Sequence, residues 1–207
     1  MAFIEPITLR GQHASLEPLA ASHLHDLNAA AADGQLWKLW YTSVPAPQAM
    51  EQYIAAALAM REQNGALPFI IRDQRNGKIV GSTRYFNVDA LNKRLEIGHT
   101  WLAKSAQRSA INTECKRMLL QHAFESLECI AVEFRTHWMN HQSRTAIARL
   151  GAKQDGVLRN HQRMADGTLR DTVVFSIIQS EWPTVARHLQ YRLELHKLES
   201  HEARDAD

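Results

Sequence analysis

The sequence predicts an α/β (α+β) fold in which a mixed, mostly antiparallel sheet carries one central parallel strand pair and is flanked by helices. Three observations predict it. At Leu67 the apolar period changes from helical to strand-like. Two turns then separate three consecutive strand patterns, which reads as an antiparallel meander. The helix pattern that follows, with Ile111, Cys115, Met118, Leu119, Ala123 and Leu127 on one arc, leads to a strand over 130–136. That strand must lie beside the third one for the arc to be buried. With 207 residues the chain suits one full-sized domain, residues 1–184, followed by the end of a terminal helix and a charged tail, residues 185–207.

Taken in order, the chain starts strand-like at Ile7-Thr8-Leu9, breaks at the polar Arg10-Gly11-Gln12-His13 and resumes at Leu16, Pro18 and Leu19. Ser22 is placed to cap a helix in which Leu24, Leu27 and Ala31 recur up to Gly34. Trp37, Trp40 and Tyr41 make 35–47 the densest aromatic segment. Such rings between helices either plug a core or line a small-molecule pocket. A second helix covers 49–64, with Gly65 to stop it. Residues 68–72 and 78–86 form a hairpin around Asn76-Gly77, and a turn over 87–93 leads to the strand over 95–102. A polar turn over 103–110 feeds the long helix directly. After the strand at 130–136 come a short helix over 140–150 ending at Gly151, a hairpin turning at Asp166-Gly167, and a helix over 181–198 with Pro183 in its first turn. The last nine residues, ESHEARDAD, lack apolar anchors and are expected to fray.

Composition narrows the function. Against 24 basic residues stand 22 acidic ones, a net charge of +2, so no overall field draws the chain to nucleic acid or to an anionic membrane. No apolar run approaches the roughly 18 residues of a membrane helix, and MAFIEPITLR lacks an apolar signal core with a cleavage site. A cytoplasmic location is expected. Cys115 and Cys129 fall towards the two ends of one predicted helix, with no C-x-x-C spacing, and read as buried thiols. His137 and His141 are four apart, but a strand-to-loop boundary is expected between them and no H-E-x-x-H context exists, so no metal site is expected.

The stretch 95–127 is the chemical focus. A strand that runs through a tight turn into a helix presents unpaired N–H groups at the positive end of the helix dipole, which suits an anion such as phosphate. Several local sequences, in order, carry a resemblance: Gly81-Ser-Thr-Arg84, Glu96-Ile-Gly-His-Thr-Trp-Leu102, Gln107-Arg-Ser-Ala-Ile-Asn-Thr-Glu114, Asn140 with Ser143-Arg144, Arg149-Leu-Gly-Ala152, and Asp166-Gly-Thr-Leu-Arg-Asp171 before Glu181-Trp-Pro183. On these, about residues 6–184 resemble the GCN5-related N-acetyltransferase (GNAT) superfamily, in its Rim-type branch of ribosomal-protein N-terminal acetyltransferases.

That resemblance implies acetyl-CoA as cosubstrate and an amine acceptor, either a peptide N-terminus or a small molecule. Gln107, Arg108, Ser109, Ala110, Ile111, Asn112 and Thr113 would occupy the pyrophosphate turn, with Ala110 and Asn112 departing from the family's small residues. Ala110 can serve only in an ordinary helical or β conformation. Glu114, near the same helix end, reads as turned sideways to a basic neighbour. Backbone groups of Trp101 and Leu102, on a strand that splays in this family, would pair with the pantetheine arm. Asn140 would meet the cofactor from the other side, or cap the helix it precedes.

The implied chemistry needs a neutral amine, a stabilised oxyanion and a proton for the leaving thiolate. A lysine-like amine with pKa about 10.4 is neutral about once in 2,500 at pH 7, a cost of roughly 4.6 kcal/mol, whereas an α-amine near about 7.8 costs only about 1.1 kcal/mol. Glu96 is the first candidate base and His99 the second. Period two sets them on opposite faces unless a bulge intervenes. The alternative for Glu96 is a cross-strand pair with Arg84 or Arg94. The Tyr that many members use as proton donor is absent between Cys129 and Gly151, and Ser143 matches the Rim-type alternative. His161 and Asp171 lie on the late hairpin, which the resemblance sets on the acceptor side, and read either as substrate-selecting residues or as ordinary cross-strand partners. Ala110 and the missing Tyr leave a second reading open, an acyl-CoA-binding protein of weak or no turnover. The terminal helix is a candidate surface for a homodimer.

Overall fold

In the computed structural model, which describes residues 3–205 and side chains as far as residue 198, the chain opens with a tight hairpin, β1 (Leu9–Arg10) and β2 (Ala14–Pro18). Then follow α1 (Leu24–Ala32), α2 (Met50–Glu62), β3 (Ala66–Asp73), β4 (Ile79–Asp89) and β5 (Arg94–Leu102). The second half holds α3 (Ala110–Gln121), β6 (Ala131–His137), α4 (His141–Ala148), β7 (Lys153–Arg163), β8 (Leu169–Ile178) and α5 (Trp182–Asp205). The strands form one sheet in the order β1-β2-β3-β4-β5-β6-β8-β7. Within it only β5 and β6 run parallel. The predicted class, meander and parallel pair are all present.

Successive residues on β4 mark the two faces of the sheet. Arg84 reaches Tyr53 and Met60 of α2, while the Tyr85 hydroxyl donates to the Leu119 carbonyl of α3 at 2.6 Å. So α2, beside α1, covers one face, and α3, packed against α5, covers the other. Alternation along the meander fills both interfaces: Phe69, Tyr85, Leu95 and Ile97 are buried beneath α3 and α5 with Leu119 and Leu189, and Ile70 is buried on the opposite face, which α1 and α2 cover with Leu27 and Ile54. The helical side of the core is sealed by burial of these apolar faces, each large side chain contributing about 1.5–3 kcal/mol.

Four local expectations are corrected. The first helix is entered through a 3-10 turn, Ala21–His23, and the Ala20 N–H donates to His23 Nδ1 at 3.2 Å, so the imidazole caps in place of Ser22. At the end of α2 it is Asn64 that takes the left-handed conformation (φ 56°), a region Asn tolerates, and Gly65 donates back to the Met60 carbonyl. The long helix stops its α-type bonding at Gln121 and widens into a π-type turn over His122–Ser126, which leaves Cys129 beyond it; both cysteines are free and buried. At the other end, α5 keeps helical backbone past Leu198, and the side chains of the expected frayed tail, 199–207, lie outside the described residues.

The fourth correction concerns α3. Thr113 and Glu114, polar residues in its first turns, are buried. Glu114 does not turn to a basic neighbour. Its carboxylate accepts the backbone N–H groups of Gln12, His13 and Ala14 at 2.9, 2.6 and 2.8 Å, inside the turn that joins β1 to β2. Gly11 leaves room for it, since a Cβ there would stand 2.4 Å from the carboxyl carbon. Three backbone donors depend on one side chain, and that of Ala14 is buried. Glu114→Ala is therefore expected to lower the unfolding free energy by about 3 kcal/mol or more, measured by chemical denaturation, with Glu114→Gln losing less.

Candidate active site

Parallel pairing between β5 and β6 spans only Arg94↔Ala131, Leu95↔Val132 and Glu96↔Glu133. Beyond that point β5 continues to Leu102 and β6 to His137 without pairing, so the strands splay. A bulge accompanies the divergence. Arg84 pairs with Gly98 and Ser82 with Trp101, so His99 and Thr100 together oppose Thr83, with His99 at φ 49°. Gly98 cannot carry a side chain here, because a Cβ would meet the Phe86 ring at 2.5 Å. The opening forms a cleft of about 870 Å³ between α2, β5, the start of α3, β6 and α4. Tyr41 lines it, whereas Trp37 packs on the core and Trp40 is exposed with its ring edge on His137. The aromatic segment thus does both of the things expected of it.

One end of the cleft is the turn before α3. Gln107, Arg108, Ser109, Asn112 and Thr113 line it, while the side chains of Ala110 and Ile111 are buried beneath. Ala110 is the first residue of α3, in helical conformation, and the left-handed position of the turn is taken by Arg108 at φ 57°. The Ala110 methyl therefore carries no strain. Ser109 caps the helix, its Oγ accepting from the Ile111 N–H at 3.3 Å and donating to the Ala106 carbonyl at 2.7 Å. Gln107 Nε2 donates to the Leu102 carbonyl at 2.9 Å, tying the turn to the end of β5. Across the cleft, Asn140 Oδ1 caps α4 by accepting the Ser143 N–H at 3.0 Å. Both residues line the cleft, and the Ser143 hydroxyl has no partner among the described residues.

The titratable groups lie where the strands diverge: His99 and Arg135 line the cleft, whereas Glu96 lines an adjoining pocket of about 420 Å³ with Asn87, Glu133 and Arg135. Glu96, the last paired residue before the splay, is 2% exposed. Asn87 Nδ2 donates to its Oε2 at 2.9 Å, and Arg135 Nε stands 3.4 Å from the same oxygen. Its expected partners are elsewhere: Arg94 pairs with Glu133, and Arg84 stacks over the Tyr53 ring. Burial pushes the Glu96 carboxyl up to about 7, against the opposing pull of Asn87 and Arg135. The bulge brings His99 round to the same face, its ring 4.9 Å from that of Phe86. Burial, with Arg84 and Arg170, drives its pKa down to about 4. It stays neutral at pH 7 and is the weaker base. His161 and Asp171 make cross-strand contacts, to Thr172 Oγ1 at 3.1 Å and to Arg159 and the Asn160 N–H. His137 Nδ1 accepts the Met139 N–H, so that nitrogen is already used.

Lys116 is the residue that sequence reasoning missed. It lies one position past Cys115 on the buried side of α3, and its Nζ enters the wedge between the diverging strands. There it donates to Thr100 Oγ1 on β5 at 2.6 Å and stands 5.8 Å from the Phe134 ring on β6. Thr100 Oγ1 is in turn 2.7 Å from Thr83 Oγ1. No carboxylate pairs with this amine among the described residues, and burial brings its pKa down to about 7. A basic residue within a mostly apolar arc was the available signal.

Comparison with known proteins agrees with this geometry. Residues 14–153 match the family model described as acetyltransferase (GNAT) domain. A Bacillus subtilis protein named "Putative ribosomal N-acetyltransferase YdaF" is 32% identical over 107 residues, 52% of this chain and 57% of that protein, so the match spans little more than half its length. The crystal structure of a GCN5-related N-acetyltransferase from Brucella melitensis superposes with a TM-score of 0.82 at 29% identity, covering 92% of this chain and 86% of the other. Mycobacterium smegmatis RimJ, solved with CoA-disulfide, shares the fold at a TM-score of 0.73 and 22% identity, over 86% and 88% of the two chains.

The buried amine makes a stability prediction. An unfolded Lys binds its proton up to about pH 10.4, whereas folded Lys116 releases it near 7, so protonation favours the unfolded chain throughout that window. Lys116→Met removes this penalty. It is expected to stabilise the protein most below pH 7, with the gain shrinking by about 1.4 kcal/mol per pH unit between 7 and 10, as read from denaturation curves at stepped pH.

Proposed function

The chain belongs to the GNAT acetyltransferase family, and from that premise we propose that it moves an acetyl group from acetyl-CoA directly to a primary amine, a peptide N-terminus or a small molecule, with Glu96 as base and Ser143 as proton donor. The observation that carries this reading is the splay of β5 from β6 with a buried carboxylate, poised near neutrality, at its apex.

The residues fit the cosubstrate. At the pyrophosphate end, the first-turn N–H groups of α3 and the Arg108 side chain offer donors, and no carboxylate lines the cleft among the described residues to oppose a phosphate. Trp101 and Leu102 end the strand edge that β6 leaves unpaired, which suits an amide-bearing arm. Asn140 faces that arm from α4. Acetyl-CoA supplies the activated acyl thioester. Glu96, as carboxylate, takes a proton from the acceptor ammonium, and its Asn87 contact fixes the plane of the group that does so. The Ser143 hydroxyl, free of local bonds, gives a proton to the departing thiolate and takes in exchange the second proton that the attacking nitrogen loses as the amide forms, while backbone N–H groups on the splayed strand hold the oxyanion. His99, neutral at pH 7, supports the acceptor by shape and hydrogen bonding.

In the second reading, tight acyl-CoA binding comes with little turnover. Its supporting observation is that no Tyr lies between Cys129 and Gly151 to serve as proton donor. Thiol release measured across amines and N-terminal peptides decides between the two, because binding without release across the panel would leave only the second. If Glu96 is the base, kcat/KM rises with pH through about 7 as the carboxyl ionises and then levels. Glu96→Gln is expected to lower kcat by roughly 10²–10⁴-fold and to remove that limb, leaving the acceptor's own ionisation, with CoA affinity retained. Retention of the limb at about 7 in the variant would remove Glu96 from the role.

A further inference from the structure

The charges on the acceptor face of the sheet do not balance. Two of its guanidinium groups are matched: Arg94 pairs with Glu133, and Arg135 lies between Glu133 and Glu96. Two are not. Arg84 is 2% exposed; its Nη1 meets only Met60 Sδ at 3.8 Å, and its Nε and Nη2 are buried without partners beneath the Tyr53 ring. The Tyr53 hydroxyl is equally unpartnered. Arg170, half-buried on β8, lines the cleft and donates only from Nε, to Thr172 Oγ1 at 3.0 Å. No carboxylate lies within ion-pair distance of either among the described residues.

Withdrawing guanidinium groups from water without a counter-charge is unfavourable unless an anion completes the site. The cofactor's phosphates do not supply it, because their donors sit at the far end of the cleft, at the start of α3. Arg170 is the group that solvent reaches, and with Nε used by Thr172 it keeps its terminal nitrogens as a fork for a planar, two-oxygen anion. It also lies close enough to act electrostatically on Glu96, His99 and His137. The same positive field disfavours an ammonium, and so helps hold a bound amine neutral beside Glu96.

We propose that the acceptor is an amino acid or a closely similar small amine that carries a carboxylate, and that Arg170 binds this carboxylate while Arg84 supplies further positive charge from below. This rests on the acetyltransferase reading for its chemistry, but the recognition is testable by itself. With protein loaded with CoA, calorimetric titration compares the twenty amino acids with their carboxamides, with phosphoethanolamine and with short peptides. Thiol release from acetyl-CoA is followed for the same compounds.

The expected result is that at least one amino acid binds roughly tenfold or more tightly than its carboxamide, and that Arg170→Gln brings the ratio near one while CoA affinity stays in place. Equal handling of acid and carboxamide, a ratio that survives in Arg170→Gln, or preference for phosphoethanolamine or peptides would each overturn the proposal. Selective binding of the acid without thiol release would uphold it and overturn the acetyltransferase reading in its place.

Discussion

Parallel pairing between β5 and β6 stops after Glu96 and Glu133, and the cleft exists because nothing in the chain restores it. Two features keep the strands apart. The bulge at His99 and Thr100 turns β5 away from its neighbour, and Lys116 fills the floor of the wedge with an amine bonded to Thr100. A fully zipped pair would satisfy more backbone groups, yet it would also erase the strand edge on which an amide-bearing cosubstrate can add as a further strand. The site is therefore a local failure of the sheet, surrounded by regular pairing on both sides.

Three desolvated ionisable groups around that gap, Glu96 and Lys116 buried and His99 half-buried, differ in what desolvation does to them. Desolvation favours the uncharged form of each, so it raises the Glu96 carboxyl while lowering the His99 imidazole and the Lys116 ammonium. Glu96 and Lys116 both arrive near 7, where either can exchange a proton in neutral water. His99 is driven out of that range first by desolvation and then by the charges of Arg84 and Arg170. Desolvation thus sorts a carboxylate and an imidazole, only three residues apart, into a group that changes charge and one that does not.

Much of the fold was legible because period and turn chemistry agree. The change of period at Leu67, the Asn76-Gly77 hairpin and the arc of α3 each survive in the structure. The bulge was foreseen only as a condition: two-residue alternation said that Glu96 and His99 could share a face if one intervened, and it does. What escaped were contacts between distant segments. Nothing local marks Glu114 as a receptor for N–H groups of the first hairpin, or Arg135 rather than Arg94 as the cation beside Glu96. Lys116 was hidden for a related reason, because a helical wheel sets it within the apolar arc but cannot show that the strands it faces diverge.

The Glu114 contact also bears on the order in which the molecule can be assembled. Its three bonds join positions 100 to 102 residues apart, so a chain synthesised from its N-terminus exposes the first turn long before the carboxylate that completes it. Closing so long a loop is entropically costly and gains nothing until α3 has been made. The first hairpin, although earliest in the chain, must then settle among the last elements, and a ribosome paused before α3 would hold an incomplete sheet edge open to foreign strands.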